Sequence, residues 1–130
     1  MKFPQLILLL SIVILSGCAN PNLVGQRGNK TNSAYSLQDQ RTARSQIRIE
    51  RTTPSNATSI GDFSVERCHQ YAQDEAPTDA IMLDELVLAA YGQGADGLSN
   101  PRFERESAIF KNCWYLVRGT ATFFKLPPTK

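Results

Sequence analysis

Cys68, His69 and Cys113 are the residues beyond the N-terminal region whose side chains could do more than pack. A thiolate beside an imidazole would make a nucleophile and its base. Cys68 and His69 are neighbours, however, and adjacent residues of a strand point to opposite faces. His69 is the single histidine of the chain, so neither a two-histidine metal site nor a Ser–His–Asp arrangement can be assembled. The one metal centre these residue types allow is Cys68, His69 and Cys113 together, and it requires both thiols reduced. Asp84 and Glu85 are adjacent on a helix surface and read as solvated charges, not as a converging acid–base pair. Gly92, Gly94 and Gly97 imitate a phosphate-binding loop, yet they follow a helix where such a loop would open one. Trp114 and Arg118 lie four apart on one strand face, as an exposed aromatic–cation platform or as cross-strand packing. The chain is expected to be no enzyme and to use no cofactor.

These residues need a frame, and the pattern from about Ile60 onward supplies one. Phe63 and Val65 alternate with Asp62, Ser64 and Glu66, which predicts a half-buried strand ending at Cys68. Pro77-Thr78-Asp79 reads as a helix start, with Thr78 as the cap and Asp79 at the positive end of the dipole. The helix is expected to run to Tyr91 and stop at Gly92-Gln93-Gly94. Met82, Leu83, Leu86, Val87, Ala89 and Ala90 share its broad apolar face. Ile81 and Leu88, seven apart, fall on the polar side. A wide core or a tail folded back over them is one account; a contact patch for a partner is the other.

Ala95 to Glu106 reads as a strand interrupted by Pro101, which favours an edge. Cys113 to Phe124 is the strongest strand, apolar on both faces and therefore central. Gln46 to Arg51 alternates as a short edge strand. With the last strand between the other two and antiparallel to both, Cys68 and Cys113 come together. In strict alternation Cys68 faces away from Phe63 and Val65, so a bulge or the strand's end is expected to reorient it. The expected fold class is α+β, a βαββ domain with one helix on a three- to four-stranded mixed sheet.

The N-terminus adds an address. Lys2, the apolar run Leu6 to Leu15 and the small residues Ser16 and Gly17 make a secretory signal. The run falls short of the ~20 apolar residues a spanning helix needs. Leu15-Ser16-Gly17-Cys18 is similar to a bacterial lipobox, whose cysteine takes a diacylglycerol and becomes the acylated N-terminus. Residues 1–17 are thus expected to be signal peptide and Cys18 the lipidation site, with palmitate among its acyl groups. By resemblance to enterobacterial sorting rules, Ala19 in place of Asp is expected to send the lipoprotein to the outer membrane, facing the periplasm. That compartment is oxidising, so Cys68 and Cys113 are expected to form a disulfide; two free thiols or the metal set above are the alternatives.

Residues 18–45 read as a lipidated, disordered, basic linker, poor in apolar residues and carrying Arg27, Lys30, Arg41 and Arg44. Fully stretched, about 35–40 residues of such a tether reach on the order of 120 Å. Residues 46–126 make the globular domain and 127–130 a tail. The formal charge of +2 carries no global basic field, which with the envelope address argues against nucleic acid.

The basic tether, the strand ending Cys68-His69-Gln70, the helix opening Pro77-Thr78 and closing Gly94-Ala95-Asp96-Gly97, and Cys113 followed by Gly119-Thr120-Ala121 resemble the RcsF family of outer-membrane stress-sensor lipoproteins. The turn after the helix and the closing strand also resemble the YbjQ family of small βαββ proteins. The resemblance spans residues 60–125. It implies a lipidated arm that engages outer-membrane barrel proteins, and a domain that signals to an inner-membrane partner. Cys68 and Cys113 match one of the sensor family's two disulfides; the second pair and the proline-rich run have no counterpart here. The expected function is a non-enzymatic outer-membrane lipoprotein acting as a periplasmic protein-binding module, with envelope stress sensing as a candidate role. Ile81, Leu88, Trp114 and Arg118 are the candidate partner surface. The alternatives are a metal- or small-ligand-binding lipoprotein, or an accessory lipoprotein of a secretion or conjugation machine.

Overall fold

The computed structural model describes residues 26–27 and 34–128. Its elements are β1 (Gln26–Arg27), α1 (Leu37–Gln46), β2 (Arg48–Glu50), β3 (Thr58–His69), α2 (Asp79–Gly92), β4 (Gly97–Ser107) and β5 (Tyr115–Lys125). The sheet order is β1-β3-β5-β4-β2. β5 is central and antiparallel to β3 and β4, while β1 and β2 add parallel pairs at the two edges. The α+β class, the mixed sheet and the central last strand therefore stand. The signal peptide, Cys18 and most of the linker lie outside the described residues.

α2 starts where its residues predict. Thr78 is extended, and its hydroxyl accepts from the Ile81 amide at 3.3 Å, satisfying one of the helix's orphan donors. Gly94 has φ +66°, a left-handed turn that a residue with a Cβ resists, and the chain enters β4. Met82 and Leu86 are fully buried against the sheet. Phe63 stacks on Phe123 with centroids 4.3 Å apart. Gly97 has no room for a side chain: a Cβ there would strike the Phe124 ring and sit 2.8 Å from the Arg48 carbonyl oxygen.

Pro101 lies in a bulge, where the β4–β5 register shifts between Ser99 and Arg102 and Asn100 takes φ 54°. β2 pairs only with Gly97 to Ser99. From Pro101 onward, then, no described strand lies on that side of β4, and the missing amide donor does no harm there.

The linker expectation extended too far. Residues 37–46 form α1, which packs on α2, so the folded unit starts near residue 34. Ser36 caps α1, accepting from the Asp39 amide at 3.1 Å and donating to the Asp39 carboxylate at 2.6 Å. Ala43 and Ile47, one turn apart, are both buried in the core that holds Leu86, Leu88 and Leu98. Arg44 and Asp84 fasten the two helices at 2.8 Å. Within α1 only Gln40 and Ala43 are buried, with Ile47 at its C-cap, an apolar stripe too thin to stand out against the polar remainder.

This packing also corrects Ile81 and Leu88. Leu88 is 2 % exposed and lies in the core with Ala43 and Ile47; Ile81 is 8 % exposed and packs with Met82 and Val117. Neither can serve as a partner surface. Of the two accounts open on the sequence, core burial is the one found, with the folded-back segment joining the core at Leu88.

Candidate interaction surface

Cys68 and Cys113 form a disulfide, with Cα atoms 5.6 Å apart, across 45 residues of chain. No bulge turns Cys68 toward the helices. The β3–β5 register shifts only between Ser59 and Gly61 and is continuous from there to His69. By alternation Phe63, Val65 and Arg67 share the helix side, and Cys68 faces the other, opposite Leu116. Cys113 comes to meet it there. Cys68, Ala108, Cys113 and Leu116 make a second small apolar cluster on the face without helices.

The Cys68–His69–Cys113 metal set is accordingly not formed. Both sulfurs are bonded to each other, and His69 alternates onto the helix side. Its Nε2 lies 3.1 Å from the Asp74 carbonyl oxygen, and its ring packs at 4.8 Å from that of Tyr115. Among the described residues no group of three or more His, Cys, Asp or Glu is placed to hold a metal ion.

Asp84 and Glu85 have separate fates. Asp84 is the partner of Arg44 on the surface. Glu85 is no solvated charge: it is buried, and Oε1 accepts from the fully buried Arg67 guanidinium at 2.5 Å. A pair of opposite charges on β3 and α2 thus crosses the core boundary. The glycines after α2 do what a helix stop requires.

Trp114 and Arg118 do not join into a platform. The Arg118 guanidinium donates to Glu66 at 2.7 and 3.0 Å and reaches Glu106 at 3.0 Å. Lys111 lies 3.7 Å from the second Glu66 oxygen. The hydrogen bond from Arg118 holds the Glu66 carboxyl below its ordinary range, and the carboxylates raise the Arg118 pKa in return. The aromatic–cation contact that does form pairs Arg105 with Tyr115, 5.3 Å from guanidinium to ring centre. Arg118 thus anchors a ladder of charges on the open face, with Asp62 and Thr122 bonded at 2.6 Å further along.

Trp114 belongs to a different feature, one that the sequence reading missed. A 3-10 turn at Ile109–Lys111 connects β4 to β5, with Asn112 left-handed after it. The Cys113 amide donates back to the Ala108 carbonyl at 3.2 Å, and the Trp114 amide to that of His69 at 2.8 Å. The loop is therefore closed and pinned by the disulfide. Yet Ile109 is 75 % exposed, Phe110 fully so, and Trp114 62 %, with Tyr71 half exposed two residues beyond His69. Adjacent Ile and Phe in a turn, with three residues between them and a Trp, were the signal available in the sequence.

The fold and this surface define a disulfide-pinned α+β domain with helices on one face of its sheet and charges on the other. No protein-family model matches the chain, and no curated protein matches it either.

Proposed function

We propose that the chain is a non-enzymatic lipoprotein of the bacterial outer membrane, anchored through Cys18, whose periplasmic domain binds a protein partner. The observation that carries the reading is the Cys68–Cys113 disulfide. It suits an oxidising compartment, and it agrees with the secretory signal and lipobox at residues 1–18. The one-sided sheet supports a binding role. Its helix-free face presents Asp62, Ser64, Glu104 and Arg102 to solvent around the Arg118 ion pairs. An envelope protein, either an outer-membrane barrel or an inner-membrane signalling protein, is the partner this reading implies, with stress sensing as the role suggested by the family resemblance.

Two measurements test it. Cells given radiolabelled palmitate should label the wild-type protein and not Cys18→Ser, with the labelled protein in the outer-membrane fraction. A photocrosslinker at Ser64 or Arg102 should then capture one discrete envelope protein. A soluble, unlabelled wild-type protein would overturn the anchor, and crosslinks no different from those of a buried position would overturn the binding face.

A further inference from the structure

We infer that the Ile109-Phe110-Lys111 turn and Trp114 form a membrane-contacting tip, which seats this end of the domain in the lipid interface. The inference rests on the lipid-anchor reading and deepens it by assigning Trp114 to lipid, not to a protein.

The tip is convex and rigid. Phe110 is fully exposed at the crest of the turn, so there is no groove here for a peptide to fill. The turn is closed on itself by the bonds from Lys111 and Cys113 to the Ala108 carbonyl, and it is tied to β3 by the disulfide. Its apolar groups are thus presented without a loss of order on binding. Trp and Tyr favour the membrane–water boundary, and a cation beside them suits the headgroups. Trp114, Tyr71 and the exposed Lys111 occupy those places. The ring of Trp114 also meets His69 edge-on at 6.2 Å, which steadies it.

The second argument is where the chain enters the domain. β1 pairs parallel to β3, with Arg27 beside Cys68. Paired strands lie about 4.8 Å apart, and Cys68 is bonded to Cys113, three residues from Phe110. β1 therefore lies beside the tip end of β3, with the chain running toward the tip. Only eight residues lead from Cys18 to Gln26. At full extension they span about 28 Å, not the ~120 Å of an undocked tether. An acyl anchor at Cys18 would hold the tip near the bilayer that carries the anchor.

Trp114 is the single tryptophan and so reports on its own surroundings. The full chain, isolated from membranes and reconstituted into vesicles of phosphatidylethanolamine and phosphatidylglycerol, should show blue-shifted Trp114 emission. Vesicles whose acyl chains are brominated near the headgroups should quench that emission several-fold. Ile109→Ser with Phe110→Ser should remove most of the quenching, since losing two large apolar contacts weakens insertion by on the order of tenfold or more. Blocked thiols at Cys68 and Cys113 would show that the variant still folds. Palmitate at Cys18 is scored on the same preparation. Labelled protein whose Trp114 stays unquenched overturns the tip and leaves the anchor. Quenching in unlabelled protein keeps the tip and overturns the anchor, and neither signal overturns both. A tip buried in a protein partner would appear as an unquenched Trp114 and counts against the inference.

Discussion

The guanidinium of Arg67 donates to the carboxylate of Glu85 at 2.5 Å, where β3 meets α2, and both side chains are removed from water. Arg67 and Glu85 meet where water is excluded, so the worth of the pair is asymmetric. Removing one partner leaves an uncompensated buried charge, which typically costs about 3–5 kcal/mol. Glu85→Ala is therefore expected to lower stability by about that much in urea unfolding. Arg67→Met combined with Glu85→Leu should recover most of the loss. A double variant as unstable as the single one would refute the account.

The disulfide is expected to be a large fraction of net stability. Closing a loop over the 45-residue separation of Cys68 and Cys113 corresponds to about 4 kcal/mol of lost chain entropy in the unfolded state. Cys68→Ala with Cys113→Ala should shift the urea midpoint down accordingly, and reductant should move the wild type to the same place. Thiols that react before reductant is added would show that the bond is not made in the isolated protein.

Leu88 separates a core residue from a surface one. It is buried where α1 lies over α2, so Leu88→Ala should destabilise by about 2–5 kcal/mol. Phe110→Ser, fully exposed, should change stability by less than about 0.5 kcal/mol. Equal stability of Leu88→Ala and wild type would mean that α1 does not pack there.

Acid should weaken the open face. The Glu66 carboxyl is held below its ordinary value of 4.5, chiefly by the hydrogen bond from Arg118. A carboxylate whose pKa is lower folded than unfolded stabilises the fold above the unfolded value. That contribution is lost as the pH falls through the folded one. Glu66→Gln should accordingly be less stable than wild type at pH 7, with the gap closing at pH values below 4.5. A gap that is the same at pH 3 and pH 7 would place the Glu66 contribution elsewhere.

The two best-marked elements were legible because their signals are local. α2 has its cap at Thr78 and its stop at Gly94, and both appear where expected. β5, apolar on both faces, is the central strand. Placing it there puts Cys68 next to Cys113, and the disulfide is present. The candidate surface was legible only in part. Arg118 is on the open face but tied to Glu66 and Glu106, and Trp114 is exposed beside the Ile109–Lys111 turn, apart from Arg118.

What the sequence alone determined is which residues share a face, since the helical and strand periods follow from backbone geometry. What only the tertiary structure decided is which faces are covered. Leu88 and Glu85 both lie away from the expected apolar stripe of α2. Leu88 is buried in a core that Ala43 of α1 and Ile47 at its C-cap share, and Glu85 is buried where Arg67 reaches up from β3. Cys68 kept the face that alternation assigned it, and the chain around Cys113 folded onto that face to meet it. Burial depends on what packs across the gap, and those partners come from segments 18 to 45 residues away in the chain.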